Sequence, residues 1–129
     1  MRRFVLLLLS LTLALLLLTA CSGGKDDAAQ TVAAYLQALI ARQSDQLSTL
    51  SCADWEASAL TEMDAFQNVE AQLVGPDCAT TGQDGDTTLV MCSGKITASY
   101  NGELQEFPLG DRVFKVATEG GELRVCGYR

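Results

Sequence analysis

The amino-acid sequence predicts an α+β domain, in which helices from the first half of the chain pack on a four-stranded antiparallel meander sheet from the second half. Two observations lead to this prediction. Apolar residues recur at helical spacing in the first half, whereas apolar and polar residues alternate with a period of two in the second half. In addition, the turn signals Asn101-Gly102 and Gly120-Gly121 join consecutive strands by short hairpins, without a crossover.

The first residues have the organisation of an export signal. Met1-Arg2-Arg3 is positively charged, and the apolar run at 4–18 is short for a membrane span, which takes about 20 residues. Leu18-Thr19-Ala20-Cys21 resembles the bacterial lipobox, in which the cysteine is lipidated and the preceding segment is removed. We therefore expect residues 1–20 to be a lipoprotein signal peptide and Cys21 to carry a diacylglyceryl group. The alternative is an uncleaved anchor with an incidental cysteine.

The predicted domain organisation follows from this cleavage site. Residues 21–27 form a lipidated cysteine and a flexible tether, and residues 28–129 form a single α+β domain. Two acyl chains hold a protein stably on a membrane, whereas one chain does so only marginally. We therefore expect the domain to be anchored through Cys21 in a bacterial cell envelope, outside the cytoplasm. It would lie on the outer face of the cytoplasmic membrane or on the periplasmic or outer-membrane side.

The charge balance excludes one class of partner. The full chain has a net charge of −7, and removal of residues 1–20, which contain Arg2 and Arg3 but no acidic residue, changes it to −9. No cluster of basic residues is present to neutralise phosphates, so we expect no binding to nucleic acids and no electrostatic attraction to anionic lipids.

The four remaining cysteines predict two disulfides, as is usual for exported chains. A zinc site is the alternative, but it requires closely spaced cysteine pairs, and the gaps here are much longer. Of the three possible pairings, we favour Cys78–Cys92 with Cys52–Cys126. Cys78 and Cys92 lie at comparable distances on either side of a polar loop expected at 80–86. We expect no metal and no cofactor.

Three helices are expected in the first half. The first helix starts at Asp26 and ends near Arg42. The candidate N-caps of the second and third helices are Ser44 and Ser51, and the third helix runs to about Asn68. Their apolar stripes are Val32, Tyr35, Leu36, Leu39 and Ile40 in the first helix, Leu47 and Leu50 in the second, and Trp55, Ala59, Met63 and Phe66 in the third.

Four strands are expected in the second half, at 69–73, 89–100, 104–117 and 123–128. Asp84-Gly85 is the tightest turn signal of the polar loop that separates the first two strands. Asn101-Gly102 favours a type I′ turn. Pro108 and Gly110 indicate a bulge or an exposed edge within the third strand.

Residues 31–50, TVAAYLQALIARQSDQLSTL, resemble the opening helix of the nuclear-transport-factor-2-like superfamily, which includes the SnoaL-like and ketosteroid-isomerase-like proteins. Tyr35-Leu36, Asp45 and the Leu47/Leu50 pair occupy the recurring positions of that pattern. The resemblance covers nearly all of residues 28–129 and implies a strongly curved sheet wrapped around the helices, a cone that often has a pocket at its open end. Enzymes of the superfamily commonly place an Asp, Tyr or His there, but this chain has no histidine.

Asp54-Trp55-Glu56 is the strongest candidate for catalysis, because a desolvated carboxylate beside a tryptophan could act as a general base. However, the two carboxylates point about 200° apart on a helix and suit the positive charge at its start. We therefore assign no catalytic residue. The Asp84-Gly85-Asp86 segment is interpreted as a turn, because it lacks the ligand pattern of a calcium loop. The candidate pocket residues are Tyr35, Trp55, Phe66 and Tyr100.

The sequence thus predicts a membrane-anchored extracytoplasmic lipoprotein with a non-catalytic binding or interaction module. A small hydrophobic ligand or an envelope protein is the expected partner. The first alternative is a small enzyme of the isomerase, cyclase or hydratase type that uses a pocket carboxylate. The second is a periplasmic or wall-associated partner domain that recognises protein or glycan.

Overall fold

A computed structural model describes residues 24–129 of the chain, with the side chains described from residue 27 onward. The predicted signal peptide at 1–20 and the predicted lipidation site Cys21 lie outside the described residues. Within them, three helices precede five strands: α1 (Gly24–Ala41), α2 (Ser44–Thr49), α3 (Ala53–Asp64), β1 (Glu70–Asp84), β2 (Thr87–Tyr100), β3 (Glu103–Pro108), β4 (Val113–Glu119) and β5 (Glu122–Tyr128). The architecture is therefore α+β, as predicted.

Helix α1 forms because its apolar residues fall on one face, which is buried against the sheet. It packs on β1, β2, β4 and β5, and the side chains of Val32, Tyr35, Leu36 and Leu39 are fully buried. The helix begins at Gly24, inside the segment predicted as a tether, and ends where Arg42 adopts a positive φ of 57°. The N–H of Gln43 then donates to the carbonyl oxygen of Ala38, which closes the helix end with a Schellman-type bond.

The starts of α2 and α3 differ from the sequence prediction. Ser44 is the first residue of α2 rather than its cap, and Ser51 does not cap α3. Ser51 is buried and forms an isolated bridge with Val125 of β5, so its hydroxyl needs an internal acceptor and donates to the carbonyl oxygen of Leu47. Cys52 therefore takes the N-cap position, without a side-chain hydrogen bond. Helix α3 also ends earlier than expected, at Asp64.

The sheet contains five antiparallel strands in the order β1-β2-β4-β5, with β3 also paired to β2. The prediction of four strands is therefore wrong, and the difference lies in the expected third strand. This segment divides in two: β3 pairs with residues 95–100 of β2, and β4 pairs with residues 88–91. The break coincides with Pro108 and Gly110, and between them Leu109 turns into the core and donates its N–H to the carbonyl oxygen of Gly94.

The hairpin between β1 and β2 is longer than the sequence predicted. The expected polar loop at 80–86 is wrong, because β1 continues to Asp84 and only Gly85-Asp86 turns. None of the residues in this extension is fully buried, and those at 80–84 are polar or glycine, so no alternation of apolar and polar residues marks the strand in the sequence. The next hairpin has the predicted type I′ character, since Asn101 and Gly102 both have positive φ.

Both disulfides predicted from the sequence are present as pairs in the structure. Cys52–Cys126 joins the N-cap of α3 to β5, with 4.9 Å between the Cα atoms. Cys78–Cys92 links directly opposed residues of β1 and β2, with 4.0 Å between the Cα atoms. One bond thus ties the helical layer to the sheet, whereas the other braces the long hairpin.

The core fills the space between α1 and the inner face of the sheet. Its largest fully buried side chains include Tyr35 and Leu36 from α1, Ile96 from β2 and Phe114 from β4. The Tyr35 and Phe114 rings meet edge to face, with their centroids 6.5 Å apart. Among the described residues, none of the helices is long and apolar enough to cross a membrane.

Candidate functional site

A shallow surface cleft of about 430 Å³ lies between α3 and β5. We call it the α3–β5 cleft. It combines aromatic rings, hydroxyl groups and a carboxylate on one surface, and its lining residues are Trp55, Ala57, Ser58, Thr61, Glu62 and Tyr128.

Trp55 is held in place from three sides. Its Nε1–H donates to the buried hydroxyl of Tyr35 at 3.0 Å, which fixes the orientation of the indole. Its ring lies on the backbone of Gly127, where a Cβ atom would come within 3.2 Å of the Trp55 Cε3 atom. The ring of Tyr128 meets it edge to face, with the centroids 5.5 Å apart. Trp55 is therefore an ordered aromatic surface within the cleft.

Glu62 follows Trp55 by seven residues, which places both side chains on the same side of α3. Its Oε1 atom accepts hydrogen bonds from Arg112 Nη1 at 2.7 Å and from the Tyr128 hydroxyl at 3.3 Å. The Arg112 guanidinium also lies 4.4 Å from the centroid of the Tyr128 ring, in a cation–π contact. The carboxylate is thus neutralised by a guanidinium that is itself held on an aromatic face.

The second oxygen of Glu62, Oε2, is buried and has no hydrogen-bond partner among the described residues. A buried acceptor without a donor costs about 1–3 kcal/mol, and more when the group is charged. The ion pair with Arg112 offsets part of this cost, since the two side chains are only 16% and 23% exposed. The α3–β5 cleft therefore adjoins an acceptor that is not satisfied within the described structure.

The two tyrosines of the cluster keep their protons at neutral pH. Burial raises the pKa of Tyr35 well above its ordinary value, an effect that the hydrogen bond from Trp55 partly opposes. Burial and the nearby Glu62 carboxylate likewise raise the pKa of Tyr128. Both phenols consequently act as neutral hydrogen-bonding groups rather than as bases.

The four predicted pocket residues are not brought together. Trp55 lines the α3–β5 cleft and Tyr35 lies buried beneath it, bonded to Trp55. Phe66 instead packs edge to face on Phe107, with the centroids 6.4 Å apart. Tyr100 is half-buried at the end of β2, beside the hairpin turn. The prediction therefore found one lining residue and one supporting residue of the cleft.

Sequence reasoning missed Glu62, Arg112 and Tyr128. The seven-residue spacing from Trp55 was a signal for Glu62, whereas nothing local marks the other two residues as neighbours of α3. Neither carboxylate of the Asp54-Trp55-Glu56 motif is among the residues that line the cleft. Both belong to the first turn of α3, where negative charge is favourable.

The described residues contain no group of three or more His, Cys, Asp or Glu side chains that could hold a metal ion. The chain matches no protein-family model, no curated protein and no solved structure. The α3–β5 cleft offers an aromatic surface, hydroxyl groups and a neutralised carboxylate, an arrangement suited to non-covalent recognition of a ligand.

Proposed function

We propose that the protein is an exported bacterial lipoprotein, anchored in the cell envelope through lipid on Cys21, whose domain is a non-catalytic binding or interaction module. The observation that carries this proposal is the lipobox-like Leu18-Thr19-Ala20-Cys21 motif in a chain whose domain is braced by two disulfides. Disulfides form and persist in oxidising compartments outside the cytoplasm, where a lipoprotein signal would deliver the domain.

The domain belongs, in this proposal, to the cone-shaped nuclear-transport-factor-2-like type, close to the SnoaL-like proteins. The order of helices before an antiparallel sheet, with α1 packed along β1, β2, β4 and β5, supports that assignment. The interior between α1 and the sheet is filled by core side chains such as Tyr35, Leu36 and Phe114. This filling favours a function on the surface of the domain rather than inside it.

The state of the cleft carboxylate supports a non-catalytic role. The alternative function, an enzyme of the isomerase, cyclase or hydratase type, needs a carboxylate that is free to act as a general base. Glu62 is the carboxylate that lines the α3–β5 cleft, but its Oε1 atom accepts bonds from Arg112 and Tyr128. These bonds are typical of a structural ion pair, so binding is the function that the geometry favours.

Replacement of Cys21 tests the anchor. The Cys21→Ser variant and a matched control, Ser22→Ala, are expressed in a bacterial host together with the unchanged chain. Intact mass then shows whether residues 1–20 are removed and lipid is added, and detergent-phase partition reports membrane association. We expect cleavage and lipid addition in the unchanged chain and in Ser22→Ala, and neither in Cys21→Ser. If Cys21→Ser is processed and partitions as the unchanged chain does, the lipoprotein proposal is wrong.

A further inference from the structure

The geometry of the α3–β5 cleft points to a specific class of ligand: we propose that it binds a neutral carbohydrate. This inference rests on the binding-module function proposed above and adds the site and the ligand class. It combines the ordered indole of Trp55, the hydroxyl-bearing residues Ser58 and Thr61, and the unpartnered Oε2 atom of Glu62.

The charges around the cleft argue against an ionic ligand. Anions are disfavoured because the first turn of the helix that lines the cleft carries Asp54 and Glu56, whereas the charge of Glu62 is balanced by Arg112. Cations are disfavoured because the Arg112 guanidinium already pairs with Glu62 and lies over the Tyr128 ring. A second positive charge at this position would be repelled by that guanidinium. A neutral ligand experiences neither of these repulsions.

The shape and composition of the cleft match a sugar ring. A volume of about 430 Å³ on an open surface accommodates a small ligand that keeps one side in water. Pyranose rings have an apolar C–H face and a rim of hydroxyl groups. In the proposed complex the face stacks on the indole of Trp55, and hydroxyls of the rim bond to Ser58 and donate to Thr61 Oγ1, whose own proton is donated to the carbonyl oxygen of Ala57.

The unpartnered oxygen of Glu62 provides an acceptor for the ligand. Oε2 lies buried, and Glu62 itself contributes to the lining of the cleft. In the proposed complex the Glu62 carboxylate turns toward the cleft, so that Oε2 accepts a hydrogen bond from a ligand hydroxyl. Such a hydroxyl would complete the hydrogen bonding of the carboxylate while Arg112 retains Oε1. Sugar hydroxyls donate hydrogen bonds without adding charge, which is what this neutralised carboxylate requires.

Trp55 makes the proposal directly measurable, because it is the only tryptophan of the chain. Its fluorescence is followed while the full-length protein, in a detergent without a sugar head group, is titrated with a trisaccharide of N-acetylglucosamine and, separately, with maltotriose. Spermidine serves as the cationic comparison. We expect at least one of the two sugars to give a saturable change with a dissociation constant of about 1 mM or below.

Two substitutions on α3 locate the binding. Ala57 is exposed and lines the cleft, whereas Ala53 is exposed one turn earlier and is not among the lining residues. Ala57→Gln narrows the cleft and should weaken sugar binding at least about tenfold, which corresponds to 1.4 kcal/mol. Ala53→Gln, the matched control, should leave it unchanged. Near-ultraviolet circular dichroism verifies that both variants are folded.

Three outcomes would overturn the proposal: no saturable response to either sugar, equal sugar affinity in Ala57→Gln and the unchanged chain, or a response to spermidine alone. The last result would assign the cleft to a cationic ligand. These measurements do not depend on the anchor, because they use fluorescence in detergent. Failure here, with Cys21 lipidated as proposed, would therefore overturn the carbohydrate inference and leave the lipoprotein proposal intact.

Discussion

Removal of the Cys52–Cys126 disulfide is expected to destabilise the domain more than removal of Cys78–Cys92, because it closes a much longer loop. The linked residues are 74 positions apart in the first pair and 14 apart in the second. In the chain-entropy model these separations correspond to about 4.5 and about 3 kcal/mol of stabilisation, respectively. The expected difference in the free energy of unfolding is therefore about 1.5 kcal/mol.

The two disulfides are comparable in burial, so that their loop lengths can be compared. Each pair contains one cysteine that is almost fully buried, namely Cys52 with 4% exposure and Cys92 with 2%. Replacement of both cysteines by alanine therefore leaves a cavity of similar size in either case. Cys52 occupies the N-cap of α3 but forms no side-chain capping bond there, so its loss removes no cap. The loop length remains as the main difference.

The test compares two double variants, Cys52→Ala/Cys126→Ala and Cys78→Ala/Cys92→Ala, by urea unfolding and by thermal unfolding, both followed with circular dichroism. A difference of about 1.5 kcal/mol corresponds to about 6–12 °C between their melting temperatures in a domain of this size. The unchanged protein under reducing conditions provides the reference with both bonds open. Equal losses in the two variants, or a greater loss from the Cys78–Cys92 pair, would refute the reasoning from loop entropy.

Three other perturbations test the packing, the ion pair and the buried tyrosine. Gly94→Ala should lower the free energy of unfolding by more than about 2 kcal/mol, because the added Cβ would overlap the backbone of the neighbouring strand and the residue has a φ of +95°. Gly82→Ala is the control, since a Cβ there meets open space, and it should change the free energy of unfolding by less than about 1 kcal/mol. Urea unfolding measures both changes. Arg112→Ala removes the ion-pair partner of a mostly buried carboxylate and should lower the free energy of unfolding by about 1–3 kcal/mol. Lys95→Ala removes one partner of an exposed ion pair and should lower it by less than about 1 kcal/mol. Double-mutant cycles with Glu62 and Glu106, respectively, measure the two coupling energies. Because burial raises the pKa of Tyr35, the folded domain holds that proton more tightly than the unfolded chain does. The resulting stabilisation is fully present below the unfolded pKa of about 10 and is lost as pH rises beyond it. Tyr35→Phe should reduce this alkaline loss, which unfolding curves at pH 7 and above pH 10 would reveal.

The elements that could be predicted from the sequence are those encoded within a few residues. The apolar stripe of α1 needs no knowledge of its partners, because helical spacing alone shows which face is buried. The turn at Asn101-Gly102 is equally local, since these two residues tolerate the positive φ that a type I′ turn requires. The disulfide pairing could also be predicted, because the hairpin brings Cys78 opposite Cys92, which leaves Cys52 to pair with Cys126.

Features that depend on a distant partner could not be predicted in this way. The outer part of β1, up to Asp84, is mostly exposed and polar, so its strand structure comes from pairing with β2 and not from a buried face. Ser51 is a residue type that often caps helices, but its bridge to Val125 buries it, and its hydroxyl donates to the carbonyl oxygen of Leu47. In both cases a contact remote in sequence overrides a local preference.

The α3–β5 cleft shows the same dependence, and its key residue is placed by an irregularity. Arg112 is the last residue of the connection between β3 and β4, and its N–H donates to the carbonyl oxygen of Leu109 at 3.1 Å. Leu109 is itself fixed, because it is fully buried and bonded to Gly94. A continuous strand through this segment would alternate its side chains between the two sheet faces, without this turn to orient Arg112. The break that the sequence marks with Pro108 and Gly110 is therefore what positions Arg112 against Glu62 and gives the cleft a neutralised carboxylate.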